Sequence, residues 1–560
     1  MNIKNNIVTY IAVFFLTGII FTSCQKDLLN KSPLDRLSDA TVWKDPALVQ
    51  AYVNDQYHVL PSLDWYDKVR GLTLSSACDE SIHQYGYNGI YDMNKGALAA
   101  STVTGFDTWK YDYGYIRNID IFFSKIDQVP GPKDVINRLK GEMHFLRAWS
   151  YMDLVERYGG VPIIEKPFQL DDNFQMQRSS YDSTVYFIVA ESDSAAALLP
   201  VSYDDNNMGR ATQGAALSLK SRILLYAASP FWNPENNQAK WQKAADAAKA
   251  VINMTNYQLY QGPMGSYGQI FTDNTNQEII FQRTIDRTSP NTVYSAVEQT
   301  EGPNGGINTL GQYGGWNTNS PSQNLVDAFG MNDGLPIDKS PLYNAQNPYV
   351  NRDPRFYADI NYDGAKWWAD SVLEFYVGGR NSPQYLGNAD HQNSSRTGYT
   401  LRKHLNLTFD YQNDQFGQTN NPWIIFRISE LYLNYAESEY YLGNEEQARW
   451  ALDQLRSRPS VNLPHVNEIG AALLWRIRNE RQVEMCFEAQ RFWDVRRWKT
   501  ADITENTPLM GINIVLNQDG SKTYSTKTVQ QRVFHAPQQY LFPIPDYELQ
   551  KIKLQQNPGY

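Results

Sequence analysis

Apolar positions recur every three to four residues through most of the first half of the chain, the spacing that gathers them on one side of a helix. Residues 46–60, 113–126 and 135–158 read as helices on this pattern. In the third, Phe145, Trp149 and Met152 are spaced four and three apart and share one buried face. Gly159-Gly160-Val161-Pro162 ends it, because glycine accepts the left-handed cap and proline cannot continue the ladder. Residues 181–199 stop at Pro200 and 212–228 stop before Pro230, and 241–252 carry Trp241, Ala244, Ala245, Ala248 and Ile252 as one stripe. From 256 to 421 the helical pattern gives way to Gly, Asn, Tyr and Trp. A stretch of that length outside regular structure is usually functional. Within it, 278–282 reads as a short strand; helical periodicity returns at 424–442 and 471–493, and 540–545 reads as extended.

One segment defines a repeat unit. Small residues at Ala436 and Ala448, a large one at Tyr440, a turn glycine at Gly443 and a closing Pro459 match the tetratricopeptide pattern, in which small side chains let two antiparallel helices approach closely. The chain is therefore expected to be mainly α, a tetratricopeptide-like scaffold of helix pairs carrying an irregular insertion of loops and short strands. Its parts are an N-terminal helical portion (38–255) with an aromatic-rich loop at 75–110, the insertion (256–421), and a C-terminal helical portion (422–560) that completes the scaffold.

The N-terminus departs from this plan. A short stretch with one lysine, Lys4, precedes an apolar run from Ile7 to Phe21 that is shorter than the roughly 20 residues needed to span a bilayer. Residues 1–23 are expected to be a cleaved signal peptide. Phe21-Thr22-Ser23-Cys24 resembles a bacterial lipobox, with Phe21 where leucine is commoner. Cys24 is then the lipidation site and 24–37 a tether; acyl chains contribute about 0.8 kcal/mol per buried methylene, enough to hold a multiply acylated chain on a membrane. The remaining cysteines, Cys78 and Cys486, sit in apolar contexts and read as buried thiols, with pairing left open. A net charge of −10 argues against nucleic acid and anionic lipid as partners.

Chemistry-bearing motifs are few. The sequence contains no His-Glu-x-x-His, nucleophile elbow, phosphate loop, CxxC pair or calcium-hand loop, and it calls for no cofactor or metal. His144 reads as a satisfied structural histidine. Glu480, Glu484 and Glu488 fall four apart on one predicted helix face, but glycoside hydrolysis needs two carboxyls flanking a bond across a cleft, which neighbours on one face cannot do. With Arg481 and Arg491 nearby, they read as an ion-pair network; Arg496 and Arg497 beside Asp494 read the same way. Aromatic residues make up 13% of the chain, and in loops they can stack on the C–H faces of sugar rings while amides and charged groups replace water on the hydroxyls. The candidates are Trp65, Tyr66, Asp79, Tyr85, Tyr87, Tyr91, Tyr313, Trp316, Asn317, Trp367 and Trp368; the glycines flanking Trp316 favour its exposure. Trp149, Trp450, Trp493 and Trp498 lie in helical patterns and read as core.

Several blocks together resemble the SusD/RagB family of nutrient-binding outer-membrane lipoproteins of Bacteroidetes. They are Glu142-Met-His-Phe-Leu-Arg-Ala-Trp-Ser-Tyr-Met-Asp-Leu-Val155 with Tyr158-Gly-Gly-Val-Pro162, Gly209-Arg-Ala-Thr212 with 216–230, Arg427-Ile-Ser-Glu-Leu-Tyr-Leu-Asn-Tyr-Ala-Glu437, Arg478-Asn-Glu-Arg-Gln-Val-Glu484 with 487–498, and Phe542-Pro-Ile-Pro545 with Gln556-Asn-Pro-Gly-Tyr560. They occur in family order across the whole mature chain. The resemblance implies a non-catalytic protein, lipid-anchored at the outer membrane and surface-exposed, that serves as the lid of a SusC-like TonB-dependent transporter and captures a glycan or other nutrient. It implies binding loops at 78–109 and 302–319. A peptide-binding lid, a protein-only tetratricopeptide adaptor and a secreted hydrolase are the alternatives.

Overall fold

The structure is a computed structural model that describes residues 39–62, 70–86, 89–169, 171–172, 175–284, 297–304, 315–367, 372–384, 393–407 and 421–560. Cys24, the signal segment, Trp65, Tyr66, Tyr87, Tyr313 and Trp368 lie outside them. No helix among the described residues is long and apolar enough to cross a membrane.

The fold is mainly α. Among the described residues, ten helices of seven residues or more carry it: α1 Pro46–Gln56, α2 Trp109–Lys125, α3 Lys133–Tyr158, α4 Tyr181–Leu198, α5 Gln213–Ala228, α6 Gln238–Ile252, α7 Ile428–Tyr441, α8 Glu445–Arg456, α9 Gly470–Glu484 and α10 Arg491–Arg497. Helices α3 to α8 form one stack in which each packs on the next, and α6 packs directly on α7 although residues 253–427 intervene. Local signals set the boundaries. Ser180, Thr212 and Asn237 each cap the helix that follows by accepting a backbone N–H. Gly159 closes α3 with a positive φ, and Ala436 and Ala448 are fully buried where α7 and α8 meet. The tetratricopeptide reading describes this last pair well.

Four antiparallel two-stranded ladders accompany the helices among the described residues. β2 (Ile279–Arg283) pairs with β6 (Trp423–Arg427) and clasps the root of the insertion, since one strand shortly follows α6 and the other directly precedes α7. β1 (Ser81–His83) pairs with β3 (Asn319–Pro321), β4 (Ile360–Asn361) with β5 (Thr400–Leu401), and β7 (Leu509–Leu516) with β8 (Lys522–Gln530).

The structure corrects four expectations. The helix expected from residue 424 begins only at Ile428, because the apolar run Trp423-Ile-Ile-Phe is buried on both faces and pairs as β6. The helix expected over 471–493 is two helices, broken where Phe487 and Ala489 take positive φ values of 57° and 58°. Glu488 therefore leaves the face it was expected to share with Glu480 and Glu484. Trp450 is not core: it is 36% exposed on α8, packed edgewise on Tyr435 and at a tilt on Tyr432, with the Lys249 ammonium 4.3 Å from its ring. Trp149, Trp493 and Trp498 are buried as expected. Finally, the β7–β8 hairpin was not anticipated, although Asp519-Gly520 between two alternating runs is a hairpin signature.

A buried network of charges fastens the insertion to the helices. Arg427, at the end of β6, donates to Glu278 and Glu484 at 2.7 Å each and to Glu488 at 2.8 Å. Arg458 reaches Glu484 at 2.6 Å, Arg355 reaches Glu484 at 2.9 Å and also binds Glu480, and Lys403 lies 2.8 Å from Glu488. Burial alone raises the Glu484 carboxyl, yet Arg458, Arg427 and Arg355 outweigh it and hold the group well below the usual carboxylate range. The glutamates thus form an ion-pair network, with partners other than those expected: Arg481 binds Asp494 at 2.8 Å and Arg491 binds Asp79 at 2.8 Å. His144 sits 2.9 Å from Glu191. Cys78 and Cys486 are free, buried thiols.

Candidate functional site

Two loops far apart in sequence are joined by the β1–β3 ladder, with Ser81 opposite Pro321, Ile82 opposite Ser320 and His83 opposite Asn319. The pairing runs one residue further, where the Gln84 N–H donates to the Thr318 carbonyl at 2.7 Å. Tyr85, Gly86 and Tyr91 emerge from the end of β1, and Trp316 and Asn317 lead into β3. Four of the proposed contact residues are thereby brought to one end of one small sheet.

The ladder rests on buried carboxyl groups. Asp79 is 9% exposed and accepts two hydrogen bonds of 2.8 Å from Arg491. Burial opposes its ionisation, but the Arg491 guanidinium outweighs this and lowers the carboxyl. Asp79, expected as a ligand contact, is thus a foundation of the site. Glu80 lies beside it with its carboxyl pushed up to about 8, by burial first and then by the Asp79 charge. Beneath the other strand, Glu301, at the end of the short helical turn Val297–Glu301, accepts from the Asn319 backbone and side chain at 3.0 and 3.1 Å, and burial pushes its carboxyl up to about 7 against these bonds.

The Trp316 segment is held by backbone. Its N–H donates to the Gln299 carbonyl at 2.7 Å, and the Asn317 and Thr318 N–H groups donate to Gly302 and Thr300 at 3.1 and 2.9 Å. Gly315 is required by that approach, since a Cβ there would sit 2.4 Å from the Gly302 and Pro303 carbonyl oxygens. The indole of Trp316 is half-buried, less open than its flanking glycines implied. Asn317 is fully buried at φ 48°, and neither amide atom of its side chain has a partner among the described residues.

Tyr85 and Tyr91 are also half-buried and are oriented by a third segment. The Tyr85 hydroxyl donates to the Asn393 side chain and lies 3.5 Å from the Trp316 carbonyl. Gln84 donates to the Ser394 carbonyl at 3.2 Å. Arg396 donates to the Tyr91 hydroxyl at 2.6 Å, which in turn donates to the His83 carbonyl at 2.7 Å. The β7–β8 hairpin buttresses this segment through Ile512 N–H and the Thr397 carbonyl at 2.7 Å. Asn393 and Arg396 were not singled out from the sequence; nothing in a short polar run such as Asn393-Ser-Ser-Arg396 announces which aromatic rings it will meet.

Trp367 stands apart. It is 6% exposed and offers no open face for stacking. The arrangement as a whole suits binding: half-exposed rings, tyrosine hydroxyls, a guanidinium and amides surround the sheet end, while Asp79, Glu80 and Glu301 are buried beneath it. No group of three or more His, Cys, Asp or Glu among the described residues is placed to hold a metal.

Comparison with known proteins agrees with this architecture along most of the chain. The family model described as "SusD family" matches residues 277–560, and one described as "Starch-binding associating with outer membrane" matches residues 34–225. A curated relative, SusD-like protein P25 of Formosa agariphila, is 23% identical over 97% of this chain and 96% of its own length. Among solved structures, a SusD-like protein from Bacteroides fragilis is 31% identical with a TM-score of 0.77, covering 95% of this chain and all of the other. A second structure from Bacteroides fragilis, a SusD-like carbohydrate binding protein, is 22% identical with a TM-score of 0.75 over 91% of this chain and 99% of the other.

Proposed function

The chain belongs to the SusD/RagB family, and from that premise we propose that it is a non-catalytic outer-membrane lipoprotein that captures a glycan and delivers it to a SusC-like TonB-dependent transporter as its lid. The observation that carries the glycan reading is the β1–β3 ladder, which unites the Tyr85–Tyr91 loop with the Trp316 loop. Sugar rings present apolar C–H faces to Trp316, Tyr85 and Tyr91, and their hydroxyls exchange water for the Arg396 guanidinium and the Asn393 amide, while the buried Asn317 stands behind the Trp316 ring's segment. Trp65, Tyr66, Tyr87, Tyr313 and Trp368, outside the described residues, remain candidate contacts. The carbohydrate binding named for the Bacteroides fragilis structure and the outer-membrane association named for the N-terminal family model support this reading. Lipidation at Cys24 supplies the membrane tether in the same scheme.

Affinity electrophoresis against a panel of neutral and acidic polysaccharides, followed by calorimetry on the best one, tests it. Trp316→Ala is expected to weaken binding at least about tenfold, roughly 1.4 kcal/mol, while leaving the unfolding midpoint close to that of the parent. No retardation by any glycan together with binding to peptides would move the ligand class.

A further inference from the structure

On the side of the molecule where the insertion meets α9, a turn over residues 333–339 faces the start of that helix and the 464–468 connection across an open cleft of about 620 Å³. That volume lies within the roughly 300–1,000 Å³ of small-ligand sites. Both walls are fixed. Asp333 accepts from the Leu335 N–H at 3.0 Å and from the Ser340 hydroxyl at 2.6 Å, and Gly334, at φ 81°, passes its carbonyl to Arg476 at 3.0 Å. Opposite, Arg456 donates to the Pro464 carbonyl at 3.0 Å.

Trp475 lines this cleft and is 47% exposed. Tryptophan is highly buried on average, and a half-exposed indole in a concave wall is open to stacking by a ligand. The Arg476 guanidinium lies 5.2 Å from the ring centroid, which braces the ring and leaves the rest of it to solvent. Leu335, 40% exposed, adds apolar surface to the same cleft.

The charges define the ligand class. Arg456 is neutralised by Glu480 at 2.9 Å, Arg476 by Glu468 at 2.7 Å, and His465 faces Asp453 at 3.0 Å. Asp338 and Lys339 are exposed neighbours of opposite sign without ion-pair partners among the described residues, and Asn467 is exposed beside them. The charged side chains of the lining balance, with Asp333, Asp338 and Glu468 against Lys339, Arg456 and Arg476, so the cleft combines one stacking platform with hydroxyl-binding groups and no net charge, which fits a neutral sugar better than a sulfated or uronate chain. A proline-rich peptide would dock between aromatic side chains lining a groove, and Trp475 is the only Trp, Tyr or Phe among the described residues lining this one.

We propose that the Trp475 cleft is a second saccharide subsite, separate from the β1–β3 face, that takes a short neutral stretch of glycan. Its ligand class rests on the glycan reading above, but its residues are independent of that site. The test is ¹⁹F NMR of the whole mature chain labelled with 5-fluorotryptophan, with the two relevant lines assigned by Trp475→Phe and Trp316→Phe. The protein is titrated with cellohexaose, laminarihexaose, xylohexaose, mannohexaose and maltohexaose. The Trp475 line is expected to move saturably with at least one of them, and Asp338→Ala is expected to weaken that response several-fold. Movement of the Trp316 line with a static Trp475 line overturns the second subsite and leaves the first reading standing. Movement of Trp475 alone supports the subsite and removes the first. If neither line moves, or Trp475 responds without saturation, the second subsite falls.

Discussion

The junction at Arg427 and the face at the end of β1 and β3 are both rich in polar side chains, yet they are built in opposite ways. At the junction every guanidinium finds carboxylates within hydrogen-bonding distance: Arg427 serves Glu278, Glu484 and Glu488, and Glu484 also takes Arg355 and Arg458. At the sheet end, Asn317 is buried with both amide atoms unpartnered among the described residues, and Tyr85, Tyr91 and Trp316 keep part of their surface in solvent. A saturated network has nothing left to offer a ligand, whereas incompletely used donors and rings do. Asp79 illustrates the distinction: it is adjacent to the binding face in sequence, but Arg491 consumes both of its oxygens, so it belongs with the junction.

The contrast is broken most severely by removing the centre of the junction. Glu484→Ala leaves three buried guanidinium groups short of a carboxylate, and breaking a buried pair costs about 3–5 kcal/mol. Chemical denaturation is expected to show a loss of that size. A loss below about 1 kcal/mol would mean that the junction relaxes, or admits water, and that saturation is not what holds the insertion on the helices.

A smaller effect is expected at Gly86, where the perturbation falls on the binding face. The residue has φ 61°, and a Cβ there would lie 2.5 Å from two carbons of the Tyr91 ring. Gly86→Ala therefore combines left-handed backbone strain of about 1–3 kcal/mol with displacement of a ring that Arg396 and the His83 carbonyl hold in place. Calorimetry is expected to show weakened glycan binding in a chain that still folds cooperatively. Unchanged affinity would remove Tyr91 from the site.

These two positions also mark what the sequence could and could not disclose. The helices were legible because their signals are local: apolar spacing over 135–158, capping residues at Ser180 and Thr212, and the small residues of the α7–α8 pair. The aromatic loops were legible as composition. What escaped was long-range. The apolar run at 423–427 pairs with residues about 145 positions earlier, and periodicity alone does not separate a short buried strand from a helix. Positive φ at Phe487 and Ala489, which redirects Glu488 toward Arg427, has no glycine to announce it. Arg396 meets Tyr91 from 305 residues away.

Glu301 gives the finest division between the two regions, since it is buried like the junction glutamates but is held by amide donors of Asn319 rather than by guanidinium groups. Its carboxyl is held near 7 in the folded chain, above its ordinary 4.5. Between those values the folded state keeps a proton that the unfolded chain has released, so this group's contribution is fully present below about pH 4.5 and is lost as pH rises through about 7. Glu484 has the opposite sign, because its depressed carboxyl loses stability only on acidification. Glu301→Gln stays neutral throughout. It is expected to match the parent near pH 4.5 and to exceed its stability at pH 8 by at most about 3 kcal/mol. Other buried carboxyls add slopes of their own, so the quantity to read is the difference between the two denaturation series. A difference that does not change with pH would mean that the Glu301 carboxyl titrates alike in the folded and unfolded chain, the Asn319 donors offsetting its burial in full.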